Sequence, residues 1–160
     1  MDCSIAGGRE WLMPLALSFV CGAAGATCTA TVDVIDADGL PLVAFTVRAE
    51  DRWCLVWNHS VAGFPVRDCF VFRPPAMILD SSHQPDFAAG LGHIEGRGKL
   101  RSDGVGGYWI EDIDEPVPGN RLNLRVGSST VDHRIEFNGM RYSLSERAAN
   151  RLVVMRLVQE

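Results

Sequence analysis

Four side chains within a ten-residue window carry most of the chemistry this chain offers: His59 and Ser60, then Arg67 and Asp68. An imidazole beside a hydroxyl is the raw material of nucleophilic catalysis, with the imidazole as base. The neighbouring residues argue against that use. Trp53 to Asn58 and Val66 to Phe72 are dense in aromatic and β-branched residues, which predicts two strands around a polar loop. Successive residues of an extended chain point to opposite faces, so His59 does not reach Ser60 as a base. The chain also lacks a Gly-x-Ser-x-Gly elbow. A hydrolase using His59 is therefore disfavoured and no catalytic residue is assigned. The plain expectation is that His59 and Ser60 hydrogen-bond backbone groups where the strand leaves its sheet. Asn58-His59-Ser60 also spells a glycosylation sequon, relevant only in a eukaryotic source.

Other constellations are weaker. His59, His83, His93 and His133, with Asp86 or Asp132, are metal-ligand types, but their spacing fits no pattern such as His-Glu-x-x-His, so no metal and no cofactor is assigned. Gly96 to Gly104 sets Arg97, Lys99 and Arg101 among glycines, where backbone amides and cations together can cradle an anion. The Gly-Lys-Ser/Thr ending of a phosphate loop is missing, and a solvated hairpin tip is the preferred reading. The candidate binding residues are thus His59, Ser60, Arg67, Asp68, His93, Arg97 and His133, with a small anion or metabolite as the alternative ligand class. Lys99 is the sole lysine among 15 basic residues, a bias that codon usage explains more simply than anion binding.

Cys54 and Cys69 lie in the two arms of the hairpin and face each other if it is centred between Val61 and Ala62. A bond between them requires Cα atoms within about 7 Å; two buried thiols are the alternative. No Cys-x-x-Cys occurs, so a redox or zinc motif is not supported. The start of the chain points to an oxidising compartment. Residues 1–26 read as a secretory signal: a polar stretch with Arg9, an apolar core from Leu12 to Val20, and Ala24-Gly25-Ala26 before the cut. Uncleaved, the uncharged run 11–32 is long enough for a membrane anchor, which needs about 20 apolar residues. The expected location is periplasmic or exported, with membrane contact only through that segment.

Residues 27–160 have to position these groups as one domain, and the pattern is that of short strands. Thr29 to Ile35 alternates and leads through Asp38-Gly39 into Leu40 to Arg48; Ala76 to Asp80, Tyr108 to Ile113, Leu122 to Val126, Val131 to Phe137, Met140 to Leu144 and Leu152 to Val158 follow, with Asn138-Gly139 as a second hairpin turn. Residues 81–107 show no sustained period and read as a long irregular segment with room for one short strand, the kind of loop that often carries function. The helical period is confined to Glu146 to Arg151. The expected fold is all-β, an antiparallel sandwich or partly open barrel of about 8–10 short strands, with Trp53, Leu55 and Trp57 on one face and Phe70 and Phe72 on the matching face. A net charge of -5 without a basic run removes nucleic acid from the partner list.

Trp57-Asn58-His59-Ser60-Val61, followed by Pro65, Asp68 and Phe70, resembles the signature of domain-of-unknown-function family 1850: an aromatic strand, His-Ser-Val, a proline, acidic positions and an aromatic. Arg67 departs from one of the acidic positions. Ala88 to Gly92, Asp103-Gly104, Trp109, Leu124 to Gly127, His133 and Gly139 extend the likeness from about Ile35 to Leu157. The resemblance implies a small exported bacterial protein, often encoded beside the permease and TAXI-type solute receptor of tripartite ATP-independent (TRAP-type) transporters. It implies no activity. The expected function is a non-enzymatic periplasmic accessory module, with the TRAP-type permease or its solute receptor as partner.

Overall fold

The computed structural model describes residues 28–61, 63–85 and 95–159, so the expected signal (residues 1–26), Asp86, Ala88 to Gly92 and His93 lie outside the described residues. Twelve strands occur among those described. They are β1 (Thr29–Asp36), β2 (Pro41–Arg48), β3 (Arg52–Asn58), β4 (Pro65–Arg73), β5 (Ala76–Gln84), β6 (Lys99–Ser102), β7 (Tyr108–Glu111), β8 (Glu115–Pro116), β9 (Arg121–Arg125), β10 (Arg134–Phe137), β11 (Met140–Ser143) and β12 (Leu152–Val158). A single helical turn, α1 (Ser145–Ala148), precedes β12.

The strands form two antiparallel sheets, which makes the fold a sandwich and not a closed barrel. The smaller runs β2-β1-β12-β9; the larger runs β11-β10-β3-β4-β5-β7-β6, with β8 beside β5. Alternation decides which side chains lie between them. From β1 and β2 come Val32, Val34, Val43 and Val47; from β12, Val153 and Met155; from the facing sheet, Trp53, Leu55, Phe70, Phe72, Ile135 and Phe137. Phe45 of β2 crosses the gap to stack on Phe137, with ring centroids 4.6 Å apart. Burying a side chain of this size is worth about 1.5–3 kcal/mol, so the aromatic layers hold the sheets together.

Asp36 closes the β1–β2 hairpin. Its Oδ1 accepts the amides of Asp38 at 3.0 Å and Leu40 at 2.9 Å, and Oδ2 accepts from Arg151 at 3.0 Å. The Leu40 amide, ahead of Asp38 and the Arg151 charge, holds this carboxyl below its usual range.

Three segments add to or depart from the sequence pattern. β5 runs on to Gln84, because Ser81, Ser82, His83 and Gln84 are polar residues carried inside a central strand. β6 is a short strand of the kind the irregular stretch left room for, its place unmarked because all four of its residues are exposed and show no apolar alternation. Val131 to His133 is not strand: Asp132 adopts φ +53° and the Val131 amide bonds back to Ser128 O at 3.1 Å, which turns the chain before β10.

Candidate functional site

β3 and β4 pair from Arg52↔Val71 to Asn58↔Pro65. Cys54 and Cys69 are directly opposed and disulfide-bonded, with Cα atoms 4.0 Å apart, the closeness of a cross-strand pair without hydrogen bonds between the two residues. The loop beyond is tied down by backbone: the His59 amide donates to Phe64 O at 2.8 Å and the Gly63 amide to His59 O at 2.9 Å. Gly63 sits at φ +73°, a conformation that costs glycine little and other residues more.

A second segment meets this loop. The Asn58 amide donates to Val131 O at 2.6 Å and Asn58 Nδ2 to Thr130 O at 3.2 Å, stapling the end of β3 to the turn before β10. That turn is compressed at Gly127, where an added Cβ would lie 2.6 Å from the Val131 Cβ. The Gly127 amide donates to His133 Nδ1 at 2.9 Å, and the His133 amide donates to Ser145 Oγ at 2.9 Å, whose hydroxyl in turn donates to Gly127 O at 3.0 Å. His133 is buried, and its ring stacks on Trp57 with centroids 5.8 Å apart and planes 12° apart. Burial lowers its basicity, only partly offset by the Asp132 charge.

Together these segments line an open depression of about 330 Å³ containing Trp57, His59, Ser60, Arg125, His133 and Asn150 among its walls. His59, Ser60 and His133, far apart in sequence, are thus brought together. Both histidines are oriented by backbone: His59 Nδ1 accepts the Val61 amide at 3.3 Å, as His133 Nδ1 accepts that of Gly127. Bonded this way, the neutral imidazole of His133 carries its proton on Nε2 and presents a donor there.

The other candidate residues lie elsewhere. Arg67 opposes Val56 on the outer face of the large sheet and pairs with Glu136 at 3.1 Å. Asp68 opposes Leu55 on the inner face, where Ser82 Oγ donates to its Oδ1 at 2.6 Å. Burial pushes the Asp68 carboxyl up, against the Ser82 hydrogen bond and the Arg97 charge. Arg97 binds Glu115 through Nε at 2.9 Å and Nη2 at 2.6 Å. Lys99 and Arg101 bind Asp112 and Glu111, at 2.8 and 2.6 Å, so the cations of the glycine-rich stretch are all engaged by carboxylates and do not form an anion cradle. Lys99 and Arg101 lie in the exposed strand β6, and Arg97 precedes it. His83 pairs with Asp103 at 2.9 Å beside Trp109. Among the described residues, no three of His, Cys, Asp or Glu are grouped to hold a metal ion.

Arg125 is the site residue that local sequence reading misses. It ends a strand remote from the His59 loop, and only the β9–β12 pairing, Arg125↔Leu152, brings it to this end of the sandwich. No motif around it marks it out.

A two-sheet sandwich with a backbone-tied histidine loop is the architecture these observations define. The chain belongs to the family described as a domain of unknown function (DUF1850), whose model matches residues 54–144, more than half of the sequence. The matched region includes the disulfide, the His59 loop and His133. No curated protein and no solved structure matches the chain.

Proposed function

We propose that this protein is a non-enzymatic, exported accessory module of a TAXI-type tripartite ATP-independent transporter, and that the histidine depression is its recognition surface. One observation carries the reading: both histidines there accept a backbone amide on Nδ1. That arrangement engages the Nδ1 lone pair of each ring, and at His133 it leaves a fixed donor at Nε2 and not a lone pair poised to take a proton from a nucleophile. Donors held rigidly around an aromatic wall suit recognition better than acid–base chemistry. Membership of the family supports the placement beside a TRAP-type permease or its solute receptor, and the disulfide suits a periplasmic or exported location.

The test is co-purification of the full chain, expressed with permease and receptor, under mild detergent. Association with either component is expected, and it should weaken when His133 is replaced by alanine. Failure of the unaltered chain to associate with both components would overturn the proposal.

A further inference from the structure

Charge around the histidine depression differs from that of the protein as a whole. The chain carries a net charge of -5, yet among the described residues the walls of this depression include Arg125 and no aspartate or glutamate. The nearest acid in sequence, Asp132, is already occupied by Arg134 at 3.0 Å and by Arg141. Arg125, like Arg48, Arg121 and Arg147, has no carboxylate partner among the described residues, and of these four it is the one that lines the depression. Arg52, Arg67, Arg73, Arg97, Arg101, Arg134, Arg141, Arg151 and Arg156 each have a carboxylate partner, whereas the bond of Arg125 is from Nη1 to the Asn150 carbonyl at 3.1 Å.

We infer that this depression is a binding site for a small organic carboxylate, with Arg125 as its charged anchor, the His133 ring N–H as a second donor and Trp57 as the apolar wall. A guanidinium has five donors in a planar fork that matches a carboxylate, and one bond to a carbonyl leaves most of that fork available. His133 adds direction: with Nδ1 held by the Gly127 amide, the ring proton sits on Nε2 and the imidazole donates. Trp57, half-buried and already stacked on His133, offers its ring to the carbon skeleton of the ligand. The volume of about 330 Å³ fits a metabolite-sized acid. The inference deepens the proposed recognition role by giving the surface a ligand class. It also changes which cations matter, because Arg67 and Arg97 are committed to Glu136 and Glu115.

The experiment is an NMR titration of the full chain with acetate, benzoate and succinate, following the Trp57 indole and the His133 ring, with benzamide and inorganic phosphate as comparators. Saturable shifts with at least one carboxylate are expected, weakened about tenfold or more by Arg125→Gln and partly restored by Arg125→Lys. Arg121→Gln, on the same strand, should leave them unchanged, and amide signals distant from the site report that each variant is folded. Saturation by none of the carboxylates would overturn the inference. So would equal response to benzamide, tighter binding of phosphate than of every carboxylate, or indifference to Arg125→Gln. Co-purification is scored separately: carboxylate binding without transporter association removes the accessory role and leaves this site standing, and the reverse result removes the carboxylate alone.

Discussion

The two ends of the large sheet present the same pleated face to very different surroundings. Under the small sheet, the inward residues of β3, β4 and β10 are Trp53, Leu55, Phe70, Phe72, Ile135 and Phe137, all within the hydrophobic core. Toward β7, the inward row becomes Asp68, Ser82 and Gln84, with Ile110 opposite Ser82. Ser82, Gln84 and Ile110 are as buried as the core residues, yet none belongs to that core cluster. The polar row is joined by a chain of hydrogen bonds: Gln84 Nε2 donates to Ser82 Oγ at 3.2 Å, and Ser82 Oγ donates to Asp68 Oδ1 at 2.6 Å. The chain ends on Gln84 Oε1, which has no partner among the described residues. Alternation assigns a side chain to a face; the layer opposite determines whether that face is apolar. One end is held by packing, the other by matched donors and acceptors, and buried polar groups are costly when a partner is lost.

Substitutions at the two ends should separate these modes of stabilisation. Trp53→Ala removes the largest side chain of the packed end and is expected to cost about 3–5 kcal/mol, read from the denaturant midpoint with unchanged slope. If the cost were below about 1 kcal/mol, the aromatic layers would not be what joins the sheets. Next comes the disulfide that links β3 to β4. Replacing Cys54 and Cys69 together by serine opens a loop of sequence separation 15 and should cost about 3 kcal/mol.

Two titrating groups give smaller effects of opposite sign. Burial raises the folded-state pKa of Asp68 above 3.8, so its contribution to stability is fully present below that pH and is lost as pH rises through the folded value. Asp68→Asn, which keeps an acceptor for Ser82, should therefore raise the thermal midpoint at pH 7 relative to the parent, and the gain should shrink on acidification. His133 behaves in the other sense. Burial lowers its folded-state pKa below 6.5, so stability falls as pH drops from 6.5 through the folded value, and His133→Gln should flatten that slope. A slope unchanged by the substitution would mean that another group titrates there. The smallest effect is expected at the edge: Lys99→Gln breaks an exposed pair with Asp112 and should leave the thermal midpoint unchanged within error.

Much of this fold was legible because it is built from hairpins with local punctuation. Asn138-Gly139 joins β10 to β11 with φ of +48° and +75°, the left-handed pair that such a two-residue turn needs. The His59 loop was equally visible, framed by two apolar strands whose register places Cys54 against Cys69. Less legible were segments whose environment is set from afar. Ser81 to Gln84 looks like loop but is strand, because burial there comes with hydrogen bonds instead of apolar side chains. Among the candidate binding residues, His59, Ser60 and His133 share one depression, while Arg67, Asp68 and Arg97 are dispersed over other faces. Neighbours in sequence on a strand are separated by the sheet, as Arg67 and Asp68 show, and long-range pairing supplied Arg125 instead.

The first and last strands of the described sandwich are partners. β12 lies between β1 and β9, matched to β1 from Thr31↔Val158 to Asp36↔Val153 and to β9 from Leu152↔Arg125 to Arg156↔Arg121. Until residues 152–158 are in place, β9 has no link to the β1–β2 hairpin, and the aromatic face of the large sheet lacks half its cover. Closure of the domain is therefore a late, non-local step with a high entropic barrier. A chain made from its N-terminus would leave the face of Trp53, Phe70 and Phe72 only partly covered until residues 152–158 are added.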